Sequence, residues 1–144
     1  PANLIPELAR LRQIIDAQGD PILEQVVADL LNEGEIRRHM KKVIRIYRER
    51  RDFLAARLSE KLGDFIDFKI PEGGLSFWAK YHKRIPLPEL SDKLKEKGII
   101  LSRGLLHDLS AGKKLNSTRM GFGWMNEEEA AQAVEILTKT IRSK

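Results

Sequence analysis

The chain changes its period at residue 63. From Glu35 to about Leu62 the apolar residues Ile36, Met40, Val43, Ile44, Tyr47, Leu54 and Leu58 recur along one helical stripe. Leu62-Gly63 then supplies a C-terminal stop. From Phe65 the period falls to two: Phe65, Asp67 and Lys69 alternate with Ile66, Phe68 and Ile70 until Pro71-Glu72-Gly73-Gly74 turns the chain. A long amphipathic helix that feeds directly into alternating sequence implies a sheet with helices laid against it.

The flanking segments extend this pattern. Leu8, Leu11, Ile14 and Ile15 follow helical spacing up to Gln18-Gly19. Asp20-Pro21 restarts the chain, with Asp as N-cap and Pro at the first helical position. Ile22, Leu23, Val26, Val27, Leu30 and Leu31 form a wide apolar face before Gly34. These two short helices have to pack on the rest of the chain or on another chain. Beyond the turn at residues 71–74, Leu75 to Lys80 is β-rich and aromatic, and Pro86-Pro88 opens a helix over Glu89 to Lys97. Gly98 ends that helix, and Ile99-Ile100-Leu101 reads as a short buried strand. A polar loop through Ala111-Gly112-Lys113-Lys114 leads to a last strand over Ser117 to Phe122. Asn126 caps a closing helix with Glu127, Glu128 and Glu129 in its first turn, where the helix dipole favours acids. The expected fold is therefore α+β: a small antiparallel or mixed sheet of about four strands, helices packed on one face, preceded by helices. The expected division is 1–34, a helical segment, and 35–144, a sheet-and-helix domain.

A length of 144 residues fits about one domain, and 42% apolar with 33% charged residues excludes a disordered chain. No apolar run approaches the roughly 18 residues needed to cross a bilayer, so no membrane partner is expected. There is no cysteine, which removes disulfides, thiolate nucleophiles and Cys-type zinc sites. Pro1-Ala2-Asn3 opens into helix-like sequence without a signal region, so a cytoplasmic location is expected, and the missing initiator Met fits either ordinary processing or a segment of a longer protein. The net charge of +5 is local: Arg37 to Arg51 carries +7 and the remainder −2. This is a mildly acidic domain with one basic stripe.

Several constellations fall short of chemistry. His39, His82 and His107 have no ligand spacing, so no metal site is expected. Gly74-Leu75-Ser76-Phe77-Trp78 begins like a nucleophile elbow, but Trp78 stands where its second glycine belongs. Gly121-Phe122-Gly123-Trp124-Met125-Asn126 lacks the third glycine of a dinucleotide loop. The basic stripe admits two readings. Arg37, Arg38, Lys41, Lys42, Arg45 and Arg48 could neutralise phosphates, or they form the solvated face of a long helix.

Four ordered motifs point to a family. Gly34-Glu35-Ile36-Arg37-Arg38-His39-Met40, continuing to Tyr47-Arg48-Glu49-Arg50-Arg51-Asp52, resembles a signature of MocR-type transcription regulators in the GntR family. Gln13-Ile14-Ile15 with Gln18-Gly19-Asp20-Pro21 resembles the segment just before it. Pro71-Glu72-Gly73-Gly74-Leu75 resembles the strand entry of the small domain of fold-type-I aminotransferases. Arg119-Met120-Gly121-Phe122 resembles their last-strand motif, which presents the arginine that grips the substrate α-carboxylate.

The resemblance implies the C-terminal part of an aminotransferase-like domain, in a parent that also carries a separate N-terminal DNA-binding domain. It implies pyridoxal 5′-phosphate in the full-length parent, a small amino-acid-like effector, a homodimeric parent, and the parent's large domain as the direct partner of this segment. Residues 1–34 would connect to that large domain. Arg119 is the one implied site residue, as carboxylate binder, and no catalytic, cofactor-binding or metal residue is assigned. No stretch of the Ser-x-Ser-Lys type is present, so neither cofactor binding nor catalysis is expected of this chain alone. The alternatives are the same part of a genuine aminotransferase, or a basic nucleic-acid-binding module.

Overall fold

The computed structural model describes residues 4–15, 19–104 and 116–143. The chain forms two compact units, Pro1–Val43 and Ile44–Lys144.

In the first unit, helix α1 (Leu4–Ile15) and helix α2 (Pro21–Asn32) have no buried residue. Their apolar faces are present but uncovered, with Ile14, Ile15 and Ile22 each about three-quarters exposed. Asp20 caps α2 as its residue type requires, its carboxylate accepting from the amides of Ile22 and Leu23 at 3.0 and 3.1 Å. Arg12 and Glu24 join the two helices at 2.8 Å. Gly34, at φ +77°, lets the chain leave α2 and begin helix α3 (Glu35–Leu62) at once.

The long helix forms as the periodicity requires, but its stripe is buried only at the end. Leu54, Ala55, Leu58 and Leu62 are buried, whereas Met40 and Ile44 are about half exposed. The sheet of the second unit is antiparallel, in the order β1 (Ile66–Asp67), β2 (Ser76–Tyr81), β3 (Ser117–Gly121). Helix α4 (Leu87–Glu96) lies between β2 and β3 in sequence, and helix α5 (Glu127–Arg142) closes the chain. Alternation along β2 buries Phe77, Ala79 and Tyr81 and turns Trp78 and Lys80 outward. The helices therefore cover one face of the sheet. The core joins those three residues to Leu58 and Leu62 of α3, Leu87 and Leu94 of α4, and Val134 and Leu137 of α5. Phe77 anchors it, with Phe68 and Phe122 each at 5.2 Å between ring centroids. Burial pushes the Tyr81 phenol above its ordinary range, so it stays neutral, its hydroxyl donating to Met120 Sδ at 3.9 Å.

Among the described residues the sheet has three strands where about four are expected, because Ile99–Leu101 does not pair. Gly98, at φ +79°, ends α4, and the Ile99 amide bonds back to the Leu94 carbonyl at 2.9 Å. Ser91 Oγ donates to the Leu101 carbonyl at 2.5 Å. Both ends of the segment are thus bonded to α4, not to a neighbouring strand. The first strand is also shorter than its alternation: only Ile66 and Asp67 pair, opposite Tyr81 and Lys80, and Ile70 is exposed. The expected loop through residues 111–114 lies outside the described residues.

A single side chain closes the turn between β2 and α4. Asn116 Nδ2 donates to the carbonyls of Tyr81, His82 and Ile85 at 2.9–3.0 Å, and Asn116 Oδ1 accepts from the Leu87 amide at 3.1 Å. Its backbone carbonyl takes the Tyr81 amide at 2.7 Å. The closing helix starts on the expected cap, extended to a full capping box. Asn126 Oδ1 accepts from the Glu129 amide, and Glu129 Oε2 accepts from the Asn126 amide, both at 2.9 Å.

Candidate functional site

Strand β3 places Arg119 on the sheet face that the helices leave open. Thr118 before it is fully buried and Met120 after it is half-buried, whereas Arg119 is exposed, as period two demands. Trp78 of β2 stands directly opposite Arg119 in the register and is 48% exposed. Arg119 makes no hydrogen bond or ion pair with a described residue, so it is counter-ion to no acid among them. It is also among the lining residues of a cavity of about 150 Å³, whose other walls include Ile99, Leu101, Met120, Met125 and Leu137 together with Leu54 and Val134 of the helix-covered core. An exposed guanidinium on an open face can take a carboxylate in a two-pronged grip.

Two cations of the basic stripe hold the loops that border this strand. Arg50 Nη1 donates to the Gly123 carbonyl at 2.7 Å, and Arg51 Nη1 donates to the Pro71 carbonyl at 3.1 Å. The Phe122 amide bonds to the Leu75 carbonyl at 2.9 Å, tying the two loops together. The other cations, Arg37, Arg38, Lys41, Lys42, Arg45 and Arg48, are exposed, and Arg38 pairs with Glu35 one turn away. The stripe therefore divides between solvated charge and structural anchors. Sequence periodicity could not separate these roles, because the carbonyl partners lie 20 and 73 residues away.

Gly121 and Gly123 are not forced by space: an added Cβ would meet Leu75 atoms at 3.9 and 3.6 Å, an ordinary contact distance. Trp124 is 97% exposed and Leu75 is 47% exposed, so the loops carry bare apolar surface next to the open face. His82 lies 3.4 Å from Asp67, His39 is exposed, and His107 falls outside the described residues. Ser76 sits within β2, without an elbow. Among the described residues, no helix is long and apolar enough to cross a membrane.

The described lysines do not fit a pyridoxal phosphate site by themselves. They are exposed, apart from Lys61, which is half-buried 3.4 Å from Glu60 Oε1, and none has the enclosed apolar setting that makes an amine nucleophilic at neutral pH.

No protein-family model matches the chain. Among the curated proteins it is similar to the HTH-type transcriptional regulator YisV of Bacillus subtilis strain 168, itself uncharacterised, with 25% identity over 142 residues, 99% of this chain and 29% of that one. It is equally similar to aromatic-amino-acid aminotransferase 1 of Thermococcus litoralis, 25% identical over 142 residues, 99% of this chain and 34% of that one. Among solved structures it superimposes on the multiple substrate aminotransferase of Thermococcus profundus with a TM-score of 0.86 and 24% identity, covering 97% of this chain and 34% of that one. The homologues are thus HTH-type regulators and aminotransferases, and the fold is that of the small domain of fold-type-I aminotransferases. The chain spans about a third of the length of these relatives.

Proposed function

We propose that residues 35–144 are the small, C-terminal subdomain of an aminotransferase-like transcription regulator, and that this subdomain closes over a small amino-acid-like effector. Arg119 is the residue that meets the effector's carboxylate. The observation that carries this reading is its placement: an exposed guanidinium on the open sheet face, opposite Trp78, with no hydrogen bond or ion pair to a described residue. Its planar fork orients a carboxylate through two parallel N–H donors, which a lysine cannot reproduce. A ligand bridging this subdomain and the parent's large domain stabilises the closed arrangement by its higher affinity for that state. Pyridoxal 5′-phosphate would be held mainly by the large domain and would supply the electron-withdrawing ring on which amino acids are recognised. Residues 1–34 connect to that large domain, and their bare apolar faces supply surface to cover. The parent is proposed as a cytoplasmic homodimer that reads DNA through its own N-terminal domain. The equal identity to an aminotransferase supports a second reading, the same subdomain in an enzyme, where Arg119 would grip a substrate instead.

Arg119→Lys in a full-length chain tests the site. Calorimetric titration should show amino-acid binding weakened by about 1–3 kcal/mol, the scale of a charge-assisted pair, with folding stability within about 0.5 kcal/mol of the parent. Equal affinity in the two proteins would return Arg119 to a surface role.

A further inference from the structure

A second cavity opens at the other side of α4, and it shares no lining residue with the one beside Arg119. Its volume is about 370 Å³, within the range of roughly 300–1,000 Å³ typical of small-molecule sites. The floor is apolar, from Phe65, Ile85, Leu90 and Ile141. Three cations line it, Arg84, Lys93 and Arg142, against one acid, Glu89.

The two guanidiniums are held in place. Both lie over the Phe65 ring, at 5.2 Å for Arg84 and 5.9 Å for Arg142. Arg84 Nη2 donates to the Asp64 carbonyl at 3.0 Å and Arg142 Nη2 to the Lys61 carbonyl at 3.3 Å. These carbonyls belong to the last turn of α3 and the residues just past it, where the helix leaves acceptors unsatisfied and the dipole favours cations. A guanidinium has five N–H donors, so one bond to a carbonyl anchors each group and leaves most of its fork for a ligand. Lys93 and Glu89 stand one turn apart on α4, without an ion pair to each other or to another described residue.

We infer that this groove binds a small organic oxyanion, with a flat apolar body against Phe65 and Leu90 and a carboxylate or phosphate head among Arg84, Arg142 and Lys93. The inference is independent of the role of Arg119, since the two cavities have no residue in common.

The 144-residue chain is titrated with benzoate, phenyl phosphate and uncharged benzyl alcohol, following the Phe65 ring and the arginine Nε–H signals by NMR. At least one anion should shift these signals saturably and bind about fivefold or more tightly than benzyl alcohol; which anion does so identifies the head group. Lys93→Glu should weaken that binding about tenfold, while Lys80→Glu, the same charge change on exposed β2, should alter it less than about twofold. Because Lys93 is exposed, its loss leaves the core and the α3 cap intact. Absence of saturable shifts with both anions, equal binding of benzyl alcohol, or equal losses in the two lysine variants would overturn the inference.

Discussion

Replacing Asn116 should cost this unit more than any comparable polar side chain. Its two amide N–H groups serve three carbonyls, and its oxygen satisfies the first amide of α4, at Leu87. At about 1 kcal/mol for each net hydrogen bond, plus the penalty for a stranded part-buried amide, Asn116→Ala should lose about 2–4 kcal/mol. That is a large share of a typical total of about 5–15 kcal/mol. Asn116→Asp separates this account from simple loss of a polar group. A carboxylate still accepts from Leu87 but turns oxygen toward the carbonyls of Tyr81, His82 and Ile85, so at about pH 7 it should be worse than alanine. Only the protonated carboxyl can donate, so its folded-state pKa must lie above the ordinary value of about 3.9. The sign is then fixed: stability relative to the parent is present below that ordinary value and is lost as pH rises through the raised folded one. Urea unfolding read by tryptophan fluorescence suits the test, because both tryptophans, Trp78 and Trp124, lie in the second unit. An alanine variant within about 0.5 kcal/mol of the parent, or an aspartate variant equally destabilised at about pH 7 and pH 4, refutes the reasoning.

Three further outcomes can be measured by the same unfolding curves. Leu58→Ala empties a position with no exposure at the centre of the core and should cost about 2–5 kcal/mol. Asn126→Ala removes the acceptor for the Glu129 amide and should cost about 1 kcal/mol, recovered largely by Asn126→Ser. Gly98→Ala places a Cβ on a residue at φ +79°; the surroundings leave room for it, so the loss of about 1 kcal/mol is backbone strain alone.

Elements whose cause is local were readable from the residues. Asp20-Pro21 and Asn126 with Glu129 start helices where their side chains reach their own first-turn amides, a matter of two or three residues. The burial of Phe77, Ala79 and Tyr81 and the exposure of Arg119 follow from alternation on strands that do form. Ile99-Ile100-Leu101 has strand-like side chains, yet a strand needs a partner, and α4 claims the carbonyl or amide at each end. Met40 and Ile44 lie on a true helix, but periodicity says which residues share a face and not what covers that face. Asn116 carried no signal because its acceptors lie 31–35 residues earlier in the chain. The carboxylate role proposed for Arg119 rests on resemblance; the strand by itself says only that the side chain points outward.

The clasp at Asn116 also bears on how the molecule ages. Asn116 precedes Ser117, and a small following residue favours attack of its backbone nitrogen on the asparagine side-chain carbonyl, releasing ammonia and leaving an acid. That cyclisation requires the amide to swing toward the Ser117 nitrogen. In the folded chain the amide is tied to four backbone groups and Ser117 is committed to β3. Folding therefore shields the bond whose loss would harm the fold. A molecule that unfolds long enough to deamidate returns with the wrong charge in its own turn, so chemical damage concentrates in chains that have already opened.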